Sequence, residues 1–212
     1  MSNFSSKYLF AEKSLFDIYK ISRKIRPNTF NVIITSLVFL SLLIYVNYRT
    51  GTLSQVIDIL RVINSDAFGF SSSILGFLVA GLAIFLTITK PEMFVLMLRA
   101  NQPDTGSSYL KYNLAAFIHV FIHYLGFVGV CILFKIFCAP LGPASFFFEL
   151  LPVDQAKKET IKIAAVLGFF VIFNTWFTYV LLLLKSFVYN MYHVVMTVIA
   201  FQLDETKQLK DD

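Results

Sequence analysis

Four times along the chain an uncharged run long enough to cross a bilayer is followed by a short segment in which the Lys, Arg, Asp and Glu residues gather. At 1.5 Å of rise per residue, about 20 helical residues cross a hydrocarbon core of roughly 30 Å. The runs are Asn31 to Tyr48, Phe68 to Thr89, Asn113 to Phe134 and Ile163 to Leu184. The pattern predicts an all-α, polytopic membrane protein, a single membrane domain over 1–212 with four transmembrane helices. The mixed charge before the first run and the lack of an A-x-A site after it speak against a cleavable signal peptide.

Between and beyond these runs the chain stays apolar. Residues 1–29 carry Leu15, Ile18, Tyr19, Ser22 and Ile25 at helical spacing, which predicts an amphipathic helix on the cytoplasmic side. Pro91 interrupts the second run, after which Met93, Phe94, Met97 and Leu98 resume a helical pattern in a restarted helix. The fourth run does not stop at Leu184, because no Gly or Pro occurs before Leu203. A continuous helix from Ile161 to Leu203 would be about 60 Å long, twice what the hydrocarbon needs, so 185–203 is expected as a cytoplasmic extension and 204–212 as a polar tail. A fifth span over Ser186 to Leu203 is the rival reading, but Leu184-Lys185-Ser186 offers no turn for reversal. The extension, the restarted helix and the N-terminal helix are expected to assemble one layer. Between the third and fourth runs, Pro140, Gly142, Pro143 and Pro152 forbid a long helix, while Phe146, Phe147 and Phe148 are too apolar for a free loop. That piece is expected to dip into the interface or to pack as a plug.

Charge orients these elements. With the N-terminus inside, twelve Lys and Arg residues fall on the cytoplasmic side and six outside, the densest cluster preceding the first span. Both termini are therefore expected in the cytoplasm. Composition agrees: 57% of residues are apolar and 15% charged, against roughly 25% charged in soluble domains. The net charge of +5 comes from residues flanking apolar runs rather than from one basic patch with interleaved aromatics, so direct nucleic-acid binding is not expected.

Reactive groups are sparse. His119 and His123 stand at i and i+4, a spacing metal sites use, yet no carboxylate lies within the four spans to complete a site. The polar groups deepest in the apolar runs are these two histidines with Asn174 and Thr175, whose expected role is hydrogen bonding between helices. Cys131 and Cys138 lie about 10 Å apart by helical rise and are expected as free thiols. No G-x-S-x-G elbow, P-loop, G-x-G-x-x-G or H-E-x-x-H occurs, so no catalytic residues, no metal and no cofactor are assigned. In "SSSILGFLVAGLAIFLTITKP", Ser72, Gly76 and Ala80 with Ala83 beside them form a strip of small residues, a pattern that lets a second backbone approach closely or, alternatively, lines a narrow lumen. On the extension, Phe187, Met191, Val194, Val198 and Phe201 recur every three or four residues as an apolar stripe to dock a partner.

The basic N-terminal helix, the serine-led second span and the helical continuation past the last span resemble the small four-span membrane subunits of bacterial anti-phage defence systems, most of all in layout those of Kiwa systems (KwaA). The resemblance implies a homo-oligomer in the inner membrane, such as a tetramer, that senses phage attack and holds a cytosolic DNA-binding effector such as KwaB. Small membrane accessories of RNA-targeting CRISPR systems share the size and span count. Three functions follow in order: a sensor or scaffold docking a soluble effector, a channel or membrane-permeabilising effector, and a membrane enzyme using the histidines.

Overall fold

The structure, a computed structural model, describes residues 14–23, 28–101, 108–140 and 142–211. Within them the chain forms seven helices, and one isolated antiparallel bridge joins Asn101 to Ser108. The helices are α1 (Leu15–Ser22), α2 (Thr29–Tyr48), α3 (Leu53–Ile88), α4 (Pro91–Arg99), α5 (Tyr109–Phe137), α6 (Pro143–Glu149) and α7 (Gln155–Asp211). Four of them contain stretches long and apolar enough to cross a membrane, at Thr29–Tyr48, Leu53–Thr87, Tyr109–Phe137 and Gln155–Ala200. The chain is a multi-pass helical membrane protein.

Local chemistry sets the helix starts. Ser14 accepts from the Asp17 amide at 3.2 Å and donates to its carboxylate at 2.9 Å, closing the first turn of α1. Asn28 caps α2 by accepting from the Phe30 amide at 2.9 Å. Pro91 and Pro143 occupy the first turns of α4 and α6, where a missing amide proton costs nothing. The helices also reach past the predicted spans. α3 begins fifteen positions before Phe68, and α7 runs unbroken for 57 residues, roughly 85 Å. Because α7 passes straight through Leu184, Lys185 and Ser186, the reversal that a fifth span needs does not exist. The predicted polar tail is still helical up to Asp211. Of the N-terminal segment only α1 and its flanks fall within the described residues; 1–13 and 24–27, with Ile25 of the expected apolar face, lie outside them.

Two compact units divide the chain. One takes in 28–77 and 123–183, that is α2, most of α3, the second half of α5, α6 and the first half of α7. Its core is aromatic. Phe127 of α5 is fully buried, its ring lying against Phe173 at 5.1 Å and Phe177 at 5.5 Å and meeting the edge of Trp176 at 5.5 Å, all three on α7. One heptad on, Phe134 stacks on Phe169 at 5.0 Å, and Phe70 of α3 meets Phe177 edge-on at 6.2 Å. Polar ties join the helices as well: Asn64 of α3 donates to the Cys131 carbonyl of α5 at 3.3 Å, and Asn31 of α2 to the Leu182 carbonyl of α7 at 3.2 Å. Both asparagines are buried, and in lipid such a bond answers a group that has no water to turn to.

The other unit takes in 1–27, 78–122 and 184–212, which brings together α1, the end of α3, α4, the first half of α5 and the end of α7. Met93 and Met97 of α4 are buried, and Phe94 meets Phe85 of α3 edge-on at 5.8 Å. Ser22 of α1 is fully buried beside His119 of α5.

Candidate docking face

The end of α7 carries two apolar faces. Phe187 and Val194, seven residues apart, are buried, and the ring against Phe187 is Phe117 of α5, edge-on at 5.4 Å. Met191 and Val198 are half-buried, and the side chain of Phe201 lies outside the described residues. Two of the five residues assigned from sequence to partner docking are thus taken up by the protein's own packing. The free surface lies on the other side. Val188, Tyr189, Tyr192, Val195, Met196 and Ile199 are each between 43% and 61% exposed, with Leu203 continuing the face. Spacings of one, three, three, one and three keep these residues on one broad side of the helix. His193 stands on it between Tyr189 at 4.5 Å and Tyr192 at 5.7 Å, giving three contiguous rings. Tyrosine and methionine are enriched where proteins meet: tyrosine buries a large area at low cost in conformational freedom, and the flexible methionine side chain adapts to the surface it meets.

His119 and His123 share α5 but not an environment. The Nδ1 of His119 lies 3.2 Å from the Ser22 hydroxyl, which itself donates to the Tyr19 carbonyl at 2.8 Å, so the ring nitrogen is the donor of the pair. The imidazole also lies parallel to the Tyr19 ring, 6.5 Å away, and holds α1 on α5. His123 instead meets Tyr179 of α7 edge-on at 5.3 Å. Among the described residues, no three His, Cys, Asp or Glu side chains converge on one point. The described thiols, Cys131 and Cys138, are both free.

Asn174 and Thr175 depart from expectation. The Asn174 side chain donates back to the Phe170 carbonyl of its own helix at 2.7 Å, and the Thr175 hydroxyl is buried without a hydrogen-bond partner. A carbonyl one turn back is always within reach of a short polar side chain, and that local bond replaces the expected one between helices. Asn31 and Asn64, near the ends of the apolar stretches rather than deep within them, make bonds of that kind instead.

On α3 the buried face is Val56, Leu60, Asn64, Ala67 and Ser71, a different side from the small strip. Ser72 is half-buried, Gly76, Ala80 and Ala83 are exposed, and a methyl group placed on Gly76 would meet nothing within 4 Å. The strip therefore does not serve the packing of this chain on itself at Gly76. No protein family, curated protein or solved structure matches the sequence.

Proposed function

We propose that the protein is an oligomeric scaffold or sensor of the bacterial inner membrane that docks a soluble cytosolic effector through the end of α7. The observation that carries this reading is the exposed face of Tyr189, Tyr192, Val195, Met196 and Ile199 on a helix far longer than a bilayer requires. If one bilayer crossing takes the uncharged run Ile163 to Leu184, this face stands beyond the hydrocarbon, where an aromatic and aliphatic surface of this size marks an interaction site. The excess of Lys and Arg on that side supports a cytoplasmic location for both termini, for α1 and for α4. The resemblance in layout to the Kiwa membrane subunits supports a place in anti-phage defence, with a KwaB-like effector as the docked partner.

The test is co-purification from cells that express the protein with its genomic neighbours. Tyr192→Glu with Met196→Glu places two charges on the exposed face and should abolish recovery of the soluble partner while membrane insertion and oligomer size stay unchanged. Val194→Glu strikes the buried side and should instead reduce the yield of folded protein. If the doubly charged variant retains its partner and its protection against phage, the docking reading fails.

A further inference from the structure

A cavity of about 660 Å³ opens in the unit built around Phe127. Its walls are Ile57, Leu60 and Arg61 of α3, one face of α5 through Val130, Leu133, Phe134 and Phe137, and one face of α7 from Lys162 through Ala165 and Val166 to Phe169; Cys138, Ala139, Pro140 and α6 close it. The volume falls inside the range of about 300–1,000 Å³ typical of small-molecule sites. Its lining is almost wholly apolar, the ionised exceptions are both basic, and no carboxylate faces in.

Its position identifies the occupant. Arg61 precedes the uncharged run that starts at Ala67, Lys135 follows the uncharged run of α5, and Lys162 precedes that of α7. Three helices therefore change from charged to uncharged around the same cavity, which sets it at the level where lipid headgroups meet acyl chains. The cover behaves accordingly, since Phe146 and Phe147 of α6 turn outward and are exposed while Phe148 turns inward to the cavity. Arg61 is held at its mouth. It donates to the Cys138 carbonyl at 3.2 Å, pairs with Asp58 at 3.1 Å, and keeps one enclosed Nε–H that has no acceptor. Lys162 has only a loose contact with Glu159 at 3.8 Å, leaving its ammonium able to take a second anion.

We propose that this cavity holds an acyl chain of an anionic phospholipid whose phosphate is taken by Lys162 and Arg61. Basic pockets between transmembrane helices are a recurrent way of selecting anionic headgroups, while the apolar lining supplies the site for a chain and is indifferent to the headgroup.

The full-length protein, delipidated in detergent, tests this by native mass spectrometry and thermal unfolding with phosphatidylglycerol or phosphatidylcholine of the same chains. Phosphatidylglycerol should be retained roughly tenfold more tightly than phosphatidylcholine. Arg61→Gln with Lys162→Gln should remove that preference without removing lipid binding, and Ala165→Trp, which fills the cavity, should remove both. Inorganic phosphate alone should neither stabilise the protein nor displace the lipid; stabilisation by phosphate alone would mean a simple anion site and overturn the proposal. A second readout does not depend on these variants. Cys138 lines the cavity, and burial raises its thiol pKa although Arg61 pulls it partly back. In a Cys131→Ala background its alkylation at a fixed alkaline pH should slow when phosphatidylglycerol is added. Equal retention of the two lipids by the unaltered protein, or alkylation that lipid does not slow, overturns the assignment.

Discussion

Replacing Phe127 by Ala removes the centre of the aromatic core, and the cost depends on which terms survive in lipid. In a soluble protein a buried Phe→Ala change costs about 3–5 kcal/mol, the sum of lost transfer from water and the cavity left behind. Here the disassembled helices stay in lipid or detergent, so most of the transfer term vanishes. What remains is the contact itself. Phe127 makes three ring pairs, with centroids at 5.1, 5.5 and 5.5 Å. At about 0.5–1.5 kcal/mol for each pair the loss is about 1.5–4.5 kcal/mol, or roughly 13-fold to 2,000-fold in the ratio of folded to unfolded protein. The chain has one tryptophan, Trp176, and it lies edge-on to Phe127, so its fluorescence during SDS titration in mixed micelles reports on this core directly. Phe146→Ala and Phe147→Ala are the controls, because those rings are 62% and 59% exposed and should shift stability by less than about 0.5 kcal/mol. If Phe127→Ala unfolds within that margin of the controls, the ring cluster is not what holds α5 to α7.

Glycine substitutions separate open from closed positions. A methyl at Gly126 would sit 3.7 Å from Trp176, an ordinary contact, so Gly126→Ala should be neutral or stabilising by up to about 1 kcal/mol through helix propensity, whereas at Gly142 it would lie 2.7 Å from the Phe137 carbonyl and 2.9 Å from that of Ala139. Both obstacles are backbone, so Gly142→Ala should cost about 1–3 kcal/mol and loosen the turn that closes the lipid cavity, measured by the same titration. Gly76→Leu with Ala80→Leu should leave the stability of the protomer unchanged, since Gly76 faces open space, yet should dissociate the proposed oligomer on size-exclusion chromatography with light scattering. An oligomer of unchanged mass would assign that face to lipid or to a lumen.

The helical architecture was legible because uncharged length is a direct readout of bilayer thickness; the ends of the helices were not. Asp58 and Arg61 mark where α3 leaves the apolar run, but as an i,i+3 pair at 3.1 Å they belong to the helix and extend it. Charge ends a span without ending a helix. The continuity of α7 was readable because neither Gly nor Pro breaks its last third, and the restart at Pro91 because proline fixes a first turn. The apolar stripe of the extension was read at the right period, but Phe187 and Val194 within it are buried in the protein while Tyr189 and Tyr192 beside it are exposed. Phe187 and Tyr189 are both large and apolar, and which of them faces inward is set by Phe117 on another helix, a partner that periodicity within α7 does not contain. The same holds for the cavity, whose lining comes from three helices and a turn that are distant in sequence.

Two kinds of contact divide the work of assembly. Inside the unit around Phe127, helices are held by large rings and by asparagine to carbonyl bonds, while Gly76 touches nothing and Gly126 merely leaves room for Trp176. Small residues are the usual means by which helices in lipid come close, yet on α3 the small strip and the buried face are different sides of the helix. A bilayer exerts no pressure to keep such a strip exposed, because any aliphatic side chain would suit lipid better through greater contact area. A strip of this kind across Ser72, Gly76, Ala80 and Ala83 fits the proposed homo-oligomer, in which another backbone would come near it from outside the chain. In the proposed assembly a second copy would take that place with no further component, and the exposed tyrosines of α7 would stay available to the proposed soluble partner.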